Sequence, residues 1–89
     1  MTDYLNADEL YAAVVDSNLP ALGRHVAHWA HDSACVNEAA DPYAEAIFRV
    51  DDWSGIYNIC DCDMLRFLSD DDLRAVARVA ASILEGWTA

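Results

Sequence analysis

The stretch AIFRVDDWSGIYNIC, residues 46–60, decides between two folds. Ala46, Ile47 and Val50 continue a helical spacing that begins at Tyr43. Asp41-Pro42 just before it is a strong helix start, with Asp as N-cap and Pro at the first helical position. Ile56 to Cys60, in contrast, has the β-branched and aromatic composition of a strand. Residues 46–50 could pair with it as a hairpin across Asp51-Asp52-Trp53-Ser54-Gly55. The helical reading makes the chain mainly α, a compact bundle of four to five short helices. The alternative is α+β with one hairpin near residues 46–60. We carry the helical reading.

Outward from this stretch the signals are helical. Asn6 can cap a first helix, and Glu9 three residues on completes a capping box. Leu10, Tyr11, Val14 and Val15 give it an apolar stripe, and the run stops near Ser17-Asn18. A second helix should run from Leu19 or Pro20 to Ala34. Leu22, Val26, Trp29 and Ser33 form one face, flanked by Leu19 and Ala30. Gly23 either weakens this helix by about 1 kcal/mol relative to Ala or lets a neighbour come close. Asp61 or Asp63 can cap a short helix from Met64 to Leu68. Ser69 caps the clearest helix, whose first turn holds Asp70, Asp71 and Asp72, favoured there by the helix dipole. Leu73, Val76, Ala77, Ala80, Ile83, Leu84 and Trp87 follow at helical spacing, with Gly86 as terminator. The expected core is Leu10, Val14, Leu22, Val26, Trp29, Ile47, Leu65, Leu68, Leu73, Val76, Ala80, Ile83 and Leu84.

At 89 residues the chain reads as a single globular domain, 1–89, without repeats or linkers. A chain this size buries about 60% of its unfolded surface, so its stability is modest. The hydrophobic content of 55% is globular. The charge is lopsided: 5 basic residues, all Arg, against 16 acids give −11. Without clustered Lys and Arg, direct nucleic-acid binding and docking on an anionic membrane are both disfavoured. No long apolar run escapes an Asp or Arg, so no membrane span is expected. Met1-Thr2-Asp3-Tyr4 does not open a secretory signal, and three cysteines suit a reducing compartment; we expect a cytoplasmic location.

The acids are unevenly spread. Asp51, Asp52, Asp61, Asp63, Asp70, Asp71 and Asp72 face only Arg66 within residues 51–72, a local charge of −6. Residues 1–50 also total −6 but over more than twice the length, and residues 73–89 total +1. Such a cluster self-repels, at a cost to stability that a cationic partner would relieve. Trp53 and Tyr57 lie inside it and suit interface anchors. The expected partner-binding residues are therefore the seven acids with Trp53 and Tyr57. The competing reading is a solvated acidic face with Trp53 in the core.

Metal and catalytic signals are thin. His25, His28, His31 and Cys35 recur at spacings of three, three and four. His28, His31 and Cys35 share an arc of about 60° on the side of the helix away from Val26 and Trp29, and should face solvent. Cys60 and Cys62 would complete a His/Cys set, but C-x-C is not the usual C-x₂-C knuckle. We expect exposed histidines, buried free thiols, no metal and no cofactor. Asp61-Cys62-Asp63 lacks the Gly and the bidentate Glu of a calcium loop. No nucleophile elbow, P-loop, dinucleotide fingerprint or zincin motif is present, so we expect no enzyme.

In size, acidity and helical character the chain resembles the small acidic inhibitor proteins of phages and mobile elements. Anti-CRISPR proteins and DNA-mimic antirestriction proteins are the main examples. The acidic run from Asp51 to Asp72, with helical segments around it, carries the resemblance. It implies a stoichiometric inhibitor whose carboxylates replace phosphate in a basic groove of a nucleic-acid-handling host protein, for instance a CRISPR effector subunit. The uneven acids fit a local patch better than a continuous phosphate-like track. Two other functions compete: an immunity protein or antitoxin against a basic toxin, and a non-enzymatic adaptor subunit.

Overall fold

A computed structural model describes residues 5–51 and 63–88, and its organising contact is a close approach of two helices at Gly23. The helices are α1 (Ala7–Val15), α2 (Leu19–Val36), α3 (Pro42–Asp51) and α4 (Asp70–Thr88), with a 3₁₀ turn over Asp63–Phe67 before α4. Helix α2 packs on both α3 and α4, and α3 packs on α4. Helix α1 lies at one end, against α2 and the 3₁₀ turn. The described residues contain four α-helices and no strand, a mainly α bundle.

Local chemistry sets the starts. Asn6 Oδ1 accepts from Glu9 N–H at 2.8 Å, and Glu9 Oε1 accepts from Asn6 N–H at 3.1 Å, a complete capping box. Asn18 caps α2 through Ala21 N–H, and Asp41 caps α3 through Ala44 N–H at 3.2 Å. Ser69 Oγ accepts from Asp72 N–H at 3.1 Å at the head of α4.

The two helix ends share a motif that the sequence does not advertise. After α1, Ser17 takes φ 51°, Ser17 N–H bonds to Val14 O, and Asn18 N–H bonds to Ala13 O. After α2, Glu38 takes φ 59°, Glu38 N–H bonds to Cys35 O, and Ala39 N–H bonds to Ala34 O. Both are Schellman caps built on a non-glycine residue in the left-handed region.

The hairpin alternative does not survive. Residues 46–50, its first arm, lie inside α3. Ala46 and Val50 are fully buried one turn apart, and Arg49 pairs with Glu45 at 3.1 Å across i,i+4. The rest of the ambiguous stretch, 52–60, lies outside the described residues.

The core is richer in small residues than expected. Ala13, Ala27, Ala30, Ala46, Val50 and Ala77 join Leu10, Leu22, Val26, Leu65, Leu68, Leu73, Val76, Ala80 and Leu84. Val14, Ile47 and Ile83 pack at its edge, only partly buried. Trp29 is 38% exposed and does not belong to the core. The reason is the crossing. A Cβ on Gly23 would lie 2.6 Å from Val79 Cβ and 3.4 Å from the Ala80 backbone nitrogen. Backbones this close admit alanine-sized neighbours and displace the large indole to the margin. Helix α4 also runs through Gly86 to Thr88 without a left-handed glycine, so Gly86 does not terminate it.

Candidate functional site

Helix α1 shows two apolar stripes, and only one can face inward. Leu10 and Ala13 are buried against the bundle, whereas Tyr11 and Val15 are 62% and 63% exposed. At the other side of the same end, the 3₁₀ turn buries Leu65 and leaves Phe67 83% exposed. Between them lies an open groove of about 540 Å³. Its walls are Tyr11, Val14 and Val15 from α1, Phe67 and Leu68 from the turn, and Asp72 from α4, with Ser17 at the rim.

This groove adjoins the acidic start of α4. Asp70 and Asp71 are exposed in its first turn, and Asp72 is half-buried in the groove wall. Asp16, exposed at the end of α1, follows directly on Val15. The groove thus sets the Asp72 carboxylate beside the large exposed apolar side chains of Tyr11, Val15 and Phe67, a combination suited to an interface.

Of the nine residues singled out in the sequence, the structure places the side chains of three, Asp70, Asp71 and Asp72, and it brings them together. Asp51 ends α3 and Asp63 opens the 3₁₀ turn. Asp52, Trp53, Tyr57 and Asp61 lie outside the described residues. Tyr11, Val15 and Phe67 were missed as surface residues. Tyr11 and Val15 have helical spacing, which reads as core unless the helix is known to be covered on one side only.

A second groove of similar volume lies between the end of α2 and α3, lined by Ala39, Ala40, Ala44, Phe48 and Arg49. Phe48 is exposed there, and Val36 is exposed at the end of α2. Asp41 and Glu45 also line it; Arg49 Nε donates to Glu45 Oε1 and Arg49 Nη1 donates to Ser33 Oγ, each at 3.1 Å.

The histidine face of α2 departs from expectation. His28 and His31 are half-buried rather than solvent-facing, because Trp87 of α4 and Tyr43 of α3 cover them. The His28 and Trp87 rings lie 4.7 Å apart, and the His31 and Tyr43 rings 4.6 Å apart. Cys35, expected to be a buried thiol, is exposed, with Sγ 3.8 Å from His31 Nε2. Cys60 and Cys62 lie outside the described residues. Among the described residues no three His, Cys, Asp or Glu side chains converge as a metal site would need.

His25 is the buried polar residue of α2. It is 4% exposed, and its Nδ1 accepts a hydrogen bond from Leu5 N–H at 3.0 Å. Burial, with the neighbouring His28 charge adding to it, holds its pKa below the usual imidazole value. No helix among the described residues is long and apolar enough to cross a membrane.

Compared with family models, curated proteins and solved structures, the chain matches none.

Proposed function

We propose that the protein is an acidic inhibitor that binds a basic, nucleic-acid-handling protein and occupies the surface on which that protein holds nucleic acid. The supporting observation is the first turn of α4. Asp70 and Asp71 stand exposed there, on a rigid helix, in a chain of net charge −11. Carboxylates held in fixed array can replace phosphates in a basic groove, and the long-range field speeds encounter. This is the action of anti-CRISPR and DNA-mimic proteins, and a bacterial cytoplasm is where it would operate. No catalytic step is needed, and binding alone suffices for inhibition.

The adaptor reading has a separate support, the exposed Phe48 in the second groove and the exposed Val36 at the end of α2. Salt separates the two. Exposed charges interact over about 10 Å at 0.1 M salt and about 3 Å at 1 M. The test is a tagged pull-down from bacterial lysate at those two ionic strengths, with mass spectrometry, using the wild type and a D70N/D71N/D72N variant. Recovery of a basic nucleic-acid-binding protein, lost at high salt and lost with the variant, is the expected result. A salt-resistant partner, or no basic protein at all, would overturn the inhibitor reading.

A further inference from the structure

The groove between α1 and the 3₁₀ turn combines an apolar wall with acidic neighbours. It is apolar over most of its wall, with Tyr11, Val15 and Phe67 exposed beside the buried Leu68. Asp72 is the charged residue of its described wall, and Asp16 and Asp71 are sequence neighbours of wall residues, with Asp70, Arg66 and Arg74 close by in sequence. The second groove, of similar volume, has a cation in its wall as well as acids: Arg49 pairs with Glu45, and Asp41 also lines it.

We infer that this groove is an anchor pocket for a short segment of the partner protein, one that inserts one or two large apolar side chains and sets Lys or Arg beside them. The inference rests on the inhibitor reading for the partner's identity, and on the groove for the chemistry of the contact. Volume is compatible with it: about 540 Å³ lies within the range of about 300–1,000 Å³ of clefts that hold small ligands. Charge complementarity supplies the occupant. An apolar segment flanked by acids would meet Asp72 with like charge, which costs affinity and discriminates against it. A basic flank finds the Asp72 carboxylate in the wall, with Asp16 and Asp71 next in sequence to wall residues. Apolar anchors surrounded by charged rims are where binding energy concentrates in protein interfaces. The acids then steer the encounter, and the groove holds the complex.

The test uses the full chain, immobilised, with a random peptide library displayed on phage as the probe. Enriched peptides should carry large apolar residues next to Lys or Arg. They should compete with one another and lose about tenfold in affinity for Val15→Asp and for Phe67→Ala. Val15 and Phe67 are exposed, so circular dichroism should show both variants folded. Enrichment of peptides without basic residues, affinity unchanged by both variants, or no enrichment would overturn the anchor pocket. The two readings fail separately. A nucleic-acid-handling partner recovered equally by wild type and Val15→Asp, but lost with the D70N/D71N/D72N variant, removes the pocket and leaves the inhibitor. Basic–apolar peptides that depend on Val15 and Phe67, with no nucleic-acid-handling protein recovered, leave the pocket and remove the inhibitor.

Discussion

Two regions of the same bundle make opposite use of apolar residues. Where α2 crosses α4, Gly23 meets Val79 and Ala80, and the surrounding core is largely alanine with Leu22, Val26 and Leu84 between. Where α1 meets the 3₁₀ turn, large side chains are present in excess, and Tyr11, Val15 and Phe67 remain outside. The crossing joins small residues to reach contact, whereas the groove spreads large ones and leaves space. Stability should reside in the first region and recognition in the second.

The sharpest break of this comparison is a pair of truncations. Leu22 is fully buried, and Leu22→Ala should cost about 2–5 kcal/mol through lost transfer energy and the cavity left behind. Phe67→Ala removes a larger side chain but should fall within about 0.5 kcal/mol of wild type, as surface substitutions do. Urea unfolding of both variants checks it. Similar losses would mean that Phe67 is part of the core and the groove is not free.

The next effect probes closeness itself. Gly23→Ala should improve helix propensity by about 1 kcal/mol in isolation. Here the new methyl meets Val79, and overpacking of this kind costs about 1–3 kcal/mol, so the net change should be destabilising. Val79→Ala in the same chain should recover much of that loss. Thermal melts of the two single variants and the double variant measure the coupling. Strictly additive losses would show that the helices do not touch at Gly23.

Much of the bundle was legible because caps are local chemistry. Asn6 with Glu9, Asp41-Pro42 and Ser69 each satisfy backbone N–H groups within three residues, so the fold need not be known to find them. The parts that were not legible depend on what another segment does. Trp29 fits the α2 face by spacing, yet the close approach at Gly23 moves the packing face toward Ala27, Ala30 and Ala34. Gly86 looks like a stop, but a glycine within four residues of a helix end is equally a weak last turn. The acids of the candidate site were visible as charge. Their apolar partners Tyr11, Val15 and Phe67 were not, because outward-facing residues on a one-sided helix share the spacing of inward-facing ones.

Smaller effects should come from the two Schellman caps. Ser17 and Glu38 hold a left-handed backbone conformation in which a Cβ is disfavoured. Ser17→Gly and Glu38→Gly should each relieve about 1–2 kcal/mol of left-handed strain, less about 0.4–1 kcal/mol that the freer glycine adds to the entropy of the unfolded chain, a small net gain. Ser17 borders the groove and Glu38 adjoins the second groove, which makes each a gain on the recognition side of the molecule. A raised urea midpoint at unchanged slope is the signature. A fall would place the energy of these turns elsewhere.

The last expected effect is a slope rather than a step, and it belongs to the buried side of the comparison. His25 Nδ1 accepts the Leu5 N–H, so in the neutral ring the proton sits on Nε2. A second proton would have to enter at Nδ1, displacing Leu5, inside a site that is 4% exposed. Burial first, and His28 second, lower the folded pKa below the ordinary value of 6.5. The unfolded chain then binds more protons than the native one below about pH 6.5, so stability rises with pH across that window. The contribution is complete above the unfolded pKa and is lost as pH falls toward the folded one. The net charge of −11 makes its own contribution to stability through self-repulsion. The measurement is therefore a difference: urea midpoints of wild type and His25→Gln, which keeps an acceptor without the basic ring, at pH 7.5, 6 and 5. The wild type should lose ground to the variant as pH falls. Parallel curves would mean that His25 takes up its proton in the folded protein as readily as in the unfolded chain, and that the bond to Leu5 does not hold it neutral.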